Sequence, residues 1–326
     1  MLSTTRSKIG ELNNHSKFMT NNIVKGTYRY LVNNNKLFTK IELWRFRHKY
    51  PHKVLIDNAE NNTPTVHFLH RYITNNTGDE ACGYYRYFLD EFKDHKCIIH
   101  DINGVIFSMI KSEDIVIIGG GGLLNASAEW NYNINKAAKI AKRAVIWSAG
   151  FNARNGSKSK NGIKWDLFDL VAVRDFSYGD FRYVPCATCI MPSLSNTYIN
   201  KRKIGVIAHK DVLHHLPAEV STYDLITNSA TIDEFIQFIG SSEIVLTNSY
   251  HAAYWSTLMQ KKCVLFAPRS EKYNYYKYPP VPFSGDLASD ISKAVIYPEA
   301  LVESRTLTLQ YVQDIKSLLI SETVTL

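Results

Sequence analysis

The sequence predicts an α/β protein with two Rossmann-like units whose sheets face a cleft, and three observations carry that expectation. The 326 residues exceed what one core usually organises, at roughly 100 to 200 residues per domain. Short aliphatic runs alternate with helical patterns, as βαβ units do when they build a mostly parallel sheet covered on both faces. A polar span, SNTYINKRK, then interrupts the alternation before a second set begins, and would suit a linker.

Residues 1–63 read as a polar, basic lead segment packed on or near the first domain. Its Trp44, Arg45, Arg47, His48 and Lys49 mix aromatic and cationic side chains as a membrane-surface helix does, with a solvated helix packed on the main body as the other reading. Residues 64–195 form the first expected domain. It begins with the strand TVHFLHRY and continues through the helical DEACGYYRYFLDEF, the strands HKCIIHDI and SEDIVIIGG, the helical NYNINKAAKIAKR and the strand RAVIWSAGF. Residues 201–298 form the second, with KIGVIAH, YDLITN, the amphipathic TIDEFIQFIGSS, EIVLTNS, HAAYWSTLMQ and CVLFAP. Residues 299–326 have helical spacing and are expected to cross back to the first domain. No repeat of 20 to 50 residues is visible.

Composition narrows the function classes. With 45% hydrophobic and 21% charged residues the chain is an ordinary soluble globular protein. A net charge of +8 favours anionic partners, whether phosphorylated small molecules, nucleic acid or an acidic membrane. Lysines and arginines are dispersed and form no RNA motif or basic stripe, which argues against nucleic acid. Five cysteines, no secretory h-region and no apolar run near 18 residues point to a reduced, cytoplasmic protein. Only Cys186 and Cys189 have CxxC spacing. No second pair or histidine cluster completes a zinc set, so no metal is expected and the pair reads as structural, with a redox or metal role as the alternative.

Four places could carry chemistry, each at the carboxyl end of an expected strand, where open parallel sheets bind ligands. In NNTGDEACG, Gly78 follows a strand and Asp79 can cap the next helix, whose free amides would face an anion; a plain strand-to-helix turn is the other reading. In IVIIGGGGLL, the contiguous Gly119 to Gly122 let backbone approach a ligand or a neighbouring domain; neither GxGxxG nor a Walker loop is present. In VAVRDFS, Arg174 supplies a forked donor for phosphate or carboxylate, or pairs structurally with Asp175. In EIVLTNSYHAAYW, Thr247, Asn248, Ser249 and His251 gather where a buried strand becomes a helix, and Lys272 ends the next strand-loop.

Taken in order, these pieces resemble the polysaccharide pyruvyl transferase family: N-x-GD at Asn76 to Asp79, DIVIIGGGGLL, SAG at Ser148 to Gly150, VAVRDFS, and TNSYHAA followed by a lysine. The resemblance covers roughly residues 65 to 290. It implies a fold similar to B-type glycosyltransferases and transfer of pyruvate from phosphoenolpyruvate to a sugar as a ketal. Arg174, His251 and Lys272 fall on the family's catalytic and donor-binding arginine, histidine and lysine. Asn76, Gly78, Asp79, Gly120, Gly121, Gly122, Asn248 and Ser249 would line the donor site. An arginine expected beside the histidine is missing, and Arg269 could supply its charge. Phosphoenolpyruvate is a co-substrate, and no cofactor is implied. The expected acceptor is a sugar of a capsule, cell-wall or exopolysaccharide precursor, lipid-linked or nucleotide-linked, with peripheral membrane contact. Two alternatives remain: a B-type glycosyltransferase using a nucleotide sugar gripped by Arg269, Glu271 and Lys272, and a non-enzymatic module binding glycan or nucleic acid.

Overall fold

A computed structural model describes Ile41, Arg45, residues 51–57, 63–152 and 162–320. The chain divides into two compact units, Met1–Lys49 and Tyr50–Leu326, and every element below belongs to the second. Apart from Arg45, the aromatic and basic stretch 44–49 lies outside the described residues.

The first sheet has seven strands, in the order β1-β3-β2-β4-β5-β6-β7. These are β1 (His52–Ile56), β2 (Val66–His70), β3 (Cys97–Asp101), β4 (Ile115–Gly119), β5 (Arg143–Ala149), β6 (Leu170–Val173) and β7 (Arg182–Tyr183). All neighbours pair in parallel except β1, which lies antiparallel along β3. That edge strand falls inside the stretch 1–63 read as a lead segment, so the sheet starts earlier than the first aliphatic run announces. Every residue of β2, β3 and β4 is buried, which is why their sequences run VHFLH, CIIHD and IVIIG without the alternation of a one-sided sheet.

Three polar side chains in this core form one hydrogen-bonded chain. Asp114 accepts from His67 Nε2 at 3.1 Å and from the amides of Thr65 and Lys111. His67 Nδ1 is then left to accept from His100 Nε2 at 2.9 Å. Burial, and then the neighbouring His67 and His52, push the His100 pKa down to about 3.

The stretch expected as one helix from Asp79 to Phe92 is broken. Helix α1 (Thr77–Ala81) ends at Cys82, α2 (Tyr85–Phe88) starts three residues past it, and Leu89–Phe92 is a 3-10 turn. A Cβ on the intervening Gly83 would stand 2.5 Å from the Tyr85 ring and 3.1 Å from His70, so the chain turns where no side chain would fit. Tyr84 stacks on Trp147 with ring centroids 4.1 Å apart, anchoring the second piece on the sheet. Helix α3 (Ala128–Ile140), capped by Ser127, follows β4.

The second sheet is wholly parallel, in the order β12-β11-β10-β8-β9. Its strands are β8 (Arg202–Ala208), β9 (Asp224–Thr227), β10 (Ser242–Thr247), β11 (Lys262–Leu265) and β12 (Val281–Pro282). Helix α4 (Ile232–Gly240) begins with a reciprocal Thr231–Glu234 capping box. Helix α5 (Tyr250–Leu258) is buried along its whole length, and α6 (Leu287–Lys293) covers the far edge. One apolar cluster joins Ala81, Cys82 and Cys186 to Phe235, Tyr250 and Trp255, so the core is continuous between the sheets.

Helix α7 (Ala300–Ile320) spans both. Ala300 lies in that shared cluster, while Tyr311, Val312 and Ile315 pack with Val66, Ile117 and Trp147, and Tyr311 Oη donates to the Ile146 carbonyl at 2.9 Å. Among the described residues no helix is long and apolar enough to cross a membrane.

Candidate functional site

In each sheet the order reverses beside a central strand, between β2 and β4 in the first and between β8 and β10 in the second. Ligands of open parallel sheets collect outside the strand carboxyl ends at such reversals. The first reversal carries Arg71, the α1 turn and the glycine run; the second carries His209, Lys210 and the start of α5. The two crowns are laced together. The Thr77 amide donates to the Asn228 carbonyl at 2.9 Å, Thr77 Oγ1 shares its hydrogen between the Asn228 and Ala230 carbonyls, and Lys210 Nζ donates to the Asn75 carbonyl at 2.9 Å.

His251, in the first turn of α5, lies flat against Gly78. A Cβ at residue 78 would stand 2.1 Å from His251 Nδ1, so only glycine lets the imidazole reach this place. On the other side of the ring, His251 Nε2 is 3.4 Å from an Arg174 Nη1 and 3.8 Å from Cys186 Sγ. Arg174 follows β6 and is 3% exposed. Its guanidinium lies 4.0 Å over the Tyr250 ring, and a Cβ on Gly150 would stand 2.2 Å from its Nε. Burying such a charge is costly, and the ring face with the neighbouring Asp175 offsets that cost. Lys272 sits on the 3-10 turn Glu271–Asn274, donates from Nζ to Asn152 Oδ1 at 3.1 Å, and stands 6.0 Å from the same Tyr250 ring. Tyr250 thus underlies both cations.

The electrostatics follow from burial and crowding. Burial, and then the Arg174 charge, push Lys272 down to about 8, with Asp79 and Asp175 pulling the other way. Burial pushes Asp175 up to about 6 against the opposing pull of Arg174 and the Phe151 amide. Asp79 is half-buried, and although desolvation opposes them, Arg71, His251, Lys272 and Arg174 together hold it below the usual carboxylate range; its Oδ2 accepts from Arg71 Nη1 at 2.9 Å. Two arginines, a lysine and an imidazole are therefore set around a single aspartate.

One expected role is corrected, and other expected site residues have packing or bonding partners of their own. Asn76, not Asp79, caps α1: its Oδ1 accepts from the Gly78 and Asp79 amides, so these are not free for an anion. The glycine run serves packing first. Gly120 and Gly121 adopt φ of +76° and +75°, and a Cβ on Gly120 would lie 2.0 Å from the Cys82 carbonyl oxygen. Gly122 is shaped to the Asn152 side chain, while Gly121 has only ordinary contacts with Cys82 and Asp79 Oδ1. Asn248 Oδ1 accepts from the His209 amide at 2.7 Å, tying the ends of β8 and β10 together. Ser249 precedes α5 without a side-chain cap, so the helix amides beside it are not taken by a capping side chain. Arg269 is exposed, its charge is felt by His209 and Tyr273, and no arginine takes the chain position beside His251. That place is held by Tyr250.

The CxxC pair separates. Cys189 Sγ faces Thr308 at 3.3 Å, whereas Cys186 faces His251. Among the described residues no group of three or more His, Cys, Asp and Glu is gathered as a metal site. Arg71, Lys210, Asn152, Tyr250 and Cys186 join the site without having been singled out for it. For Arg71 and Lys210 a signal existed, since each stands just past a strand end as Arg174 does.

A model of the polysaccharide pyruvyl transferase family matches residues 21–270. The chain belongs to that family. Membership makes this pyruvyl transferase relative a transferase acting on polysaccharide, and the matched span takes in Gly78, Arg174 and His251 but stops two residues before Lys272. Among curated proteins nothing matches the chain. A crystal structure of a functionally uncharacterized protein from Klebsiella pneumoniae subsp. pneumoniae NTUH-K2044 is similar at 16% identity and a TM-score of 0.46, over 77% of this chain and 99% of that one.

Proposed function

We propose that the protein transfers the pyruvyl group of phosphoenolpyruvate to two hydroxyls of one sugar, forming a ketal and releasing phosphate. The observation that carries this reading is the meeting of Arg174, His251 and the Lys272 loop on the Tyr250 ring. A donor with a carboxylate and a phosphate brings nearly three negative charges, and two cations beside an uncapped helix start suit it. A proton adds to the methylene carbon, one sugar hydroxyl attacks the adjacent carbon, and the second hydroxyl displaces phosphate. Of the two hydroxyl protons, one ends on the new methyl group and one on phosphate, so no oxidant or reductant enters the balance. His251 serves as the general acid and base, since an imidazole both gives and takes protons near neutrality. Arg174 and Lys272 hold the donor, and the lowered ammonium of Lys272 lets it respond to the donor's charge.

The two parallel sheets with facing carboxyl ends support two Rossmann-like units arranged as in B-type glycosyltransferases. The net charge of +8 suits an acceptor presented at an anionic membrane on its cytoplasmic face, such as a lipid-linked precursor of a surface polysaccharide. The test is phosphate release from phosphoenolpyruvate by the full chain with a panel of glycan acceptors, beside thermal shifts with phosphoenolpyruvate and with nucleotide sugars. Stabilisation by phosphoenolpyruvate and phosphate release that needs acceptor are expected. Stabilisation by nucleotide sugars alone would replace this reading with glycosyl transfer.

A further inference from the structure

Three consecutive residues leaving β5 each hold one charged group of the site. A Cβ on Gly150 would stand 2.2 Å from Arg174 Nε, the Phe151 amide donates to Asp175 Oδ2 at 2.9 Å, and Asn152 Oδ1 accepts from Lys272 Nζ at 3.1 Å. The shelf 150–152 therefore fixes Asp175 between the anchor points of the two cations. Asp175 is 1% exposed, and its second oxygen, Oδ1, is buried with no hydrogen-bond partner. Arg174 Nε, on the adjacent residue, is buried and unpartnered as well. A buried polar atom without a partner is costly, and native folds keep few of them. An open acceptor and an open donor on neighbouring residues match a hydroxyl, which gives its hydrogen to one and accepts from the other. Ketal formation also calls for a second proton carrier. Two sugar hydroxyls each lose a proton while the methylene carbon and the phosphate each gain one, and one imidazole carries a single proton at a time.

We propose that Asp175 is a second catalytic residue, the base that takes the proton of the attacking sugar hydroxyl and returns it to the departing phosphate. In the first step the hydroxyl O–H bond breaks toward Asp175 Oδ1 and the oxygen bonds to the central carbon of the donor. The electron pair of the donor's double bond then takes a proton from His251 at the methylene carbon. In the second step the other hydroxyl loses its proton to His251 and bonds to the same carbon. The carbon–oxygen bond to phosphate breaks, and phosphate leaves with the proton held by Asp175. Both groups end as they began, and no oxidant or reductant is consumed. The role rests on the pyruvyl-transfer reading, in which Arg174 and Lys272 hold the donor on either side of this carboxylate. The charged and titratable groups facing Asp175 are Arg174 beside it, Lys272 on the 3-10 turn and Tyr250 on α5. Burial lifts the carboxyl to about 6 against Arg174, the Phe151 amide and Lys272, so it is ionised at neutral pH and basic enough to accept a proton.

The test is the pH profile of phosphate release at saturating phosphoenolpyruvate with a glycan acceptor. In the unmodified full chain kcat should fall below about pH 6, where the carboxylate takes up a proton. A profile that stays flat from neutral pH down through this range overturns the proposal, with no variant needing to fold. Asp175→Asn should lower kcat by about 10² to 10⁴ and lose that acidic limb, while phosphoenolpyruvate still raises its thermal midpoint. Asp175→Glu, which keeps a carboxylate, should recover part of the rate and the limb. An Asp175→Asn profile that scales down with its acidic limb unmoved makes Asp175 structural and leaves pyruvyl transfer standing. No phosphate release from the unmodified chain with any acceptor overturns both.

Discussion

At the carboxyl end of the first sheet glycines make room for the site's side chains, whereas the end of the second sends side chains across to fill it. Gly78 and Gly150 are sockets: one receives the His251 ring and the other the Arg174 guanidinium, each within a distance that a single Cβ would close. The second crown supplies His251, Tyr250 and Lys272, mounted on a fully buried helix and on a short turn tied to Asn152. The first side gives shape together with Arg174 and its neighbouring carboxylates, and the second gives the imidazole and the ammonium, so damage to the glycines and to the side chains should be read out differently.

The sharpest break is His251→Ala, expected to lower turnover by about 10² to 10⁴ while the thermal midpoint moves little, measured by phosphate release and by calorimetry. Gly78→Ala attacks the socket in place of its occupant. The new Cβ pushes the imidazole away, turnover falls on the order of 10²-fold, and the double variant with His251→Ala loses nothing further, because both act on one group. Gly120→Ala is the control within the same crown. Its positive φ and the Cys82 carbonyl 2.0 Å away make it a folding defect of about 2 to 4 kcal/mol in urea unfolding.

Lys272 sharpens the other side of the contrast. Its folded pKa lies near 8, so the ammonium is present below that pH and is lost as pH rises through it. The KM for an anionic donor should therefore climb above that point, by up to about tenfold per pH unit, and Lys272→Arg should remove the climb. The smallest effect is expected from Thr77→Val. It deletes the hydroxyl bond to the Asn228 and Ala230 carbonyls that laces the crowns together, and should cost about 1 kcal/mol in unfolding.

The second crown was the more legible of the two. A buried aliphatic strand running into TNSYHAA places His251 at a helix start by periodicity alone, and Lys272 sits in the loop that follows the next strand. The first crown was harder, for a physical reason. A glycine run says that a Cβ is forbidden but not which neighbour forbids it, and here the neighbours are the Cys82 carbonyl, Trp147, Tyr84 and Asn152. Asn76 rather than Asp79 caps α1, a choice that depends on backbone direction and not on residue type. DEACGYYRYFLDEF has the composition of one helix, and only the third dimension shows that Gly83 has no room for a side chain. Cys186 was hidden by its own motif, since CxxC spacing draws attention to Cys189 when its partner in space is 65 residues away.

The unbroken apolar cluster from Cys82 and Cys186 to Phe235 and Trp255 has a bearing on how anything enters. Prising the sheets apart would wet that surface at roughly 25 cal/mol for each Å² uncovered, a steep toll on every catalytic cycle. The loop after β11 opens with three exposed residues, Ala267 to Arg269, and holds Lys272 before Tyr273 and Tyr276 rejoin the shared cluster. The Lys272 ammonium thus rides on the one loop of this crown whose opening residues meet solvent, so an anion arriving there feels its charge.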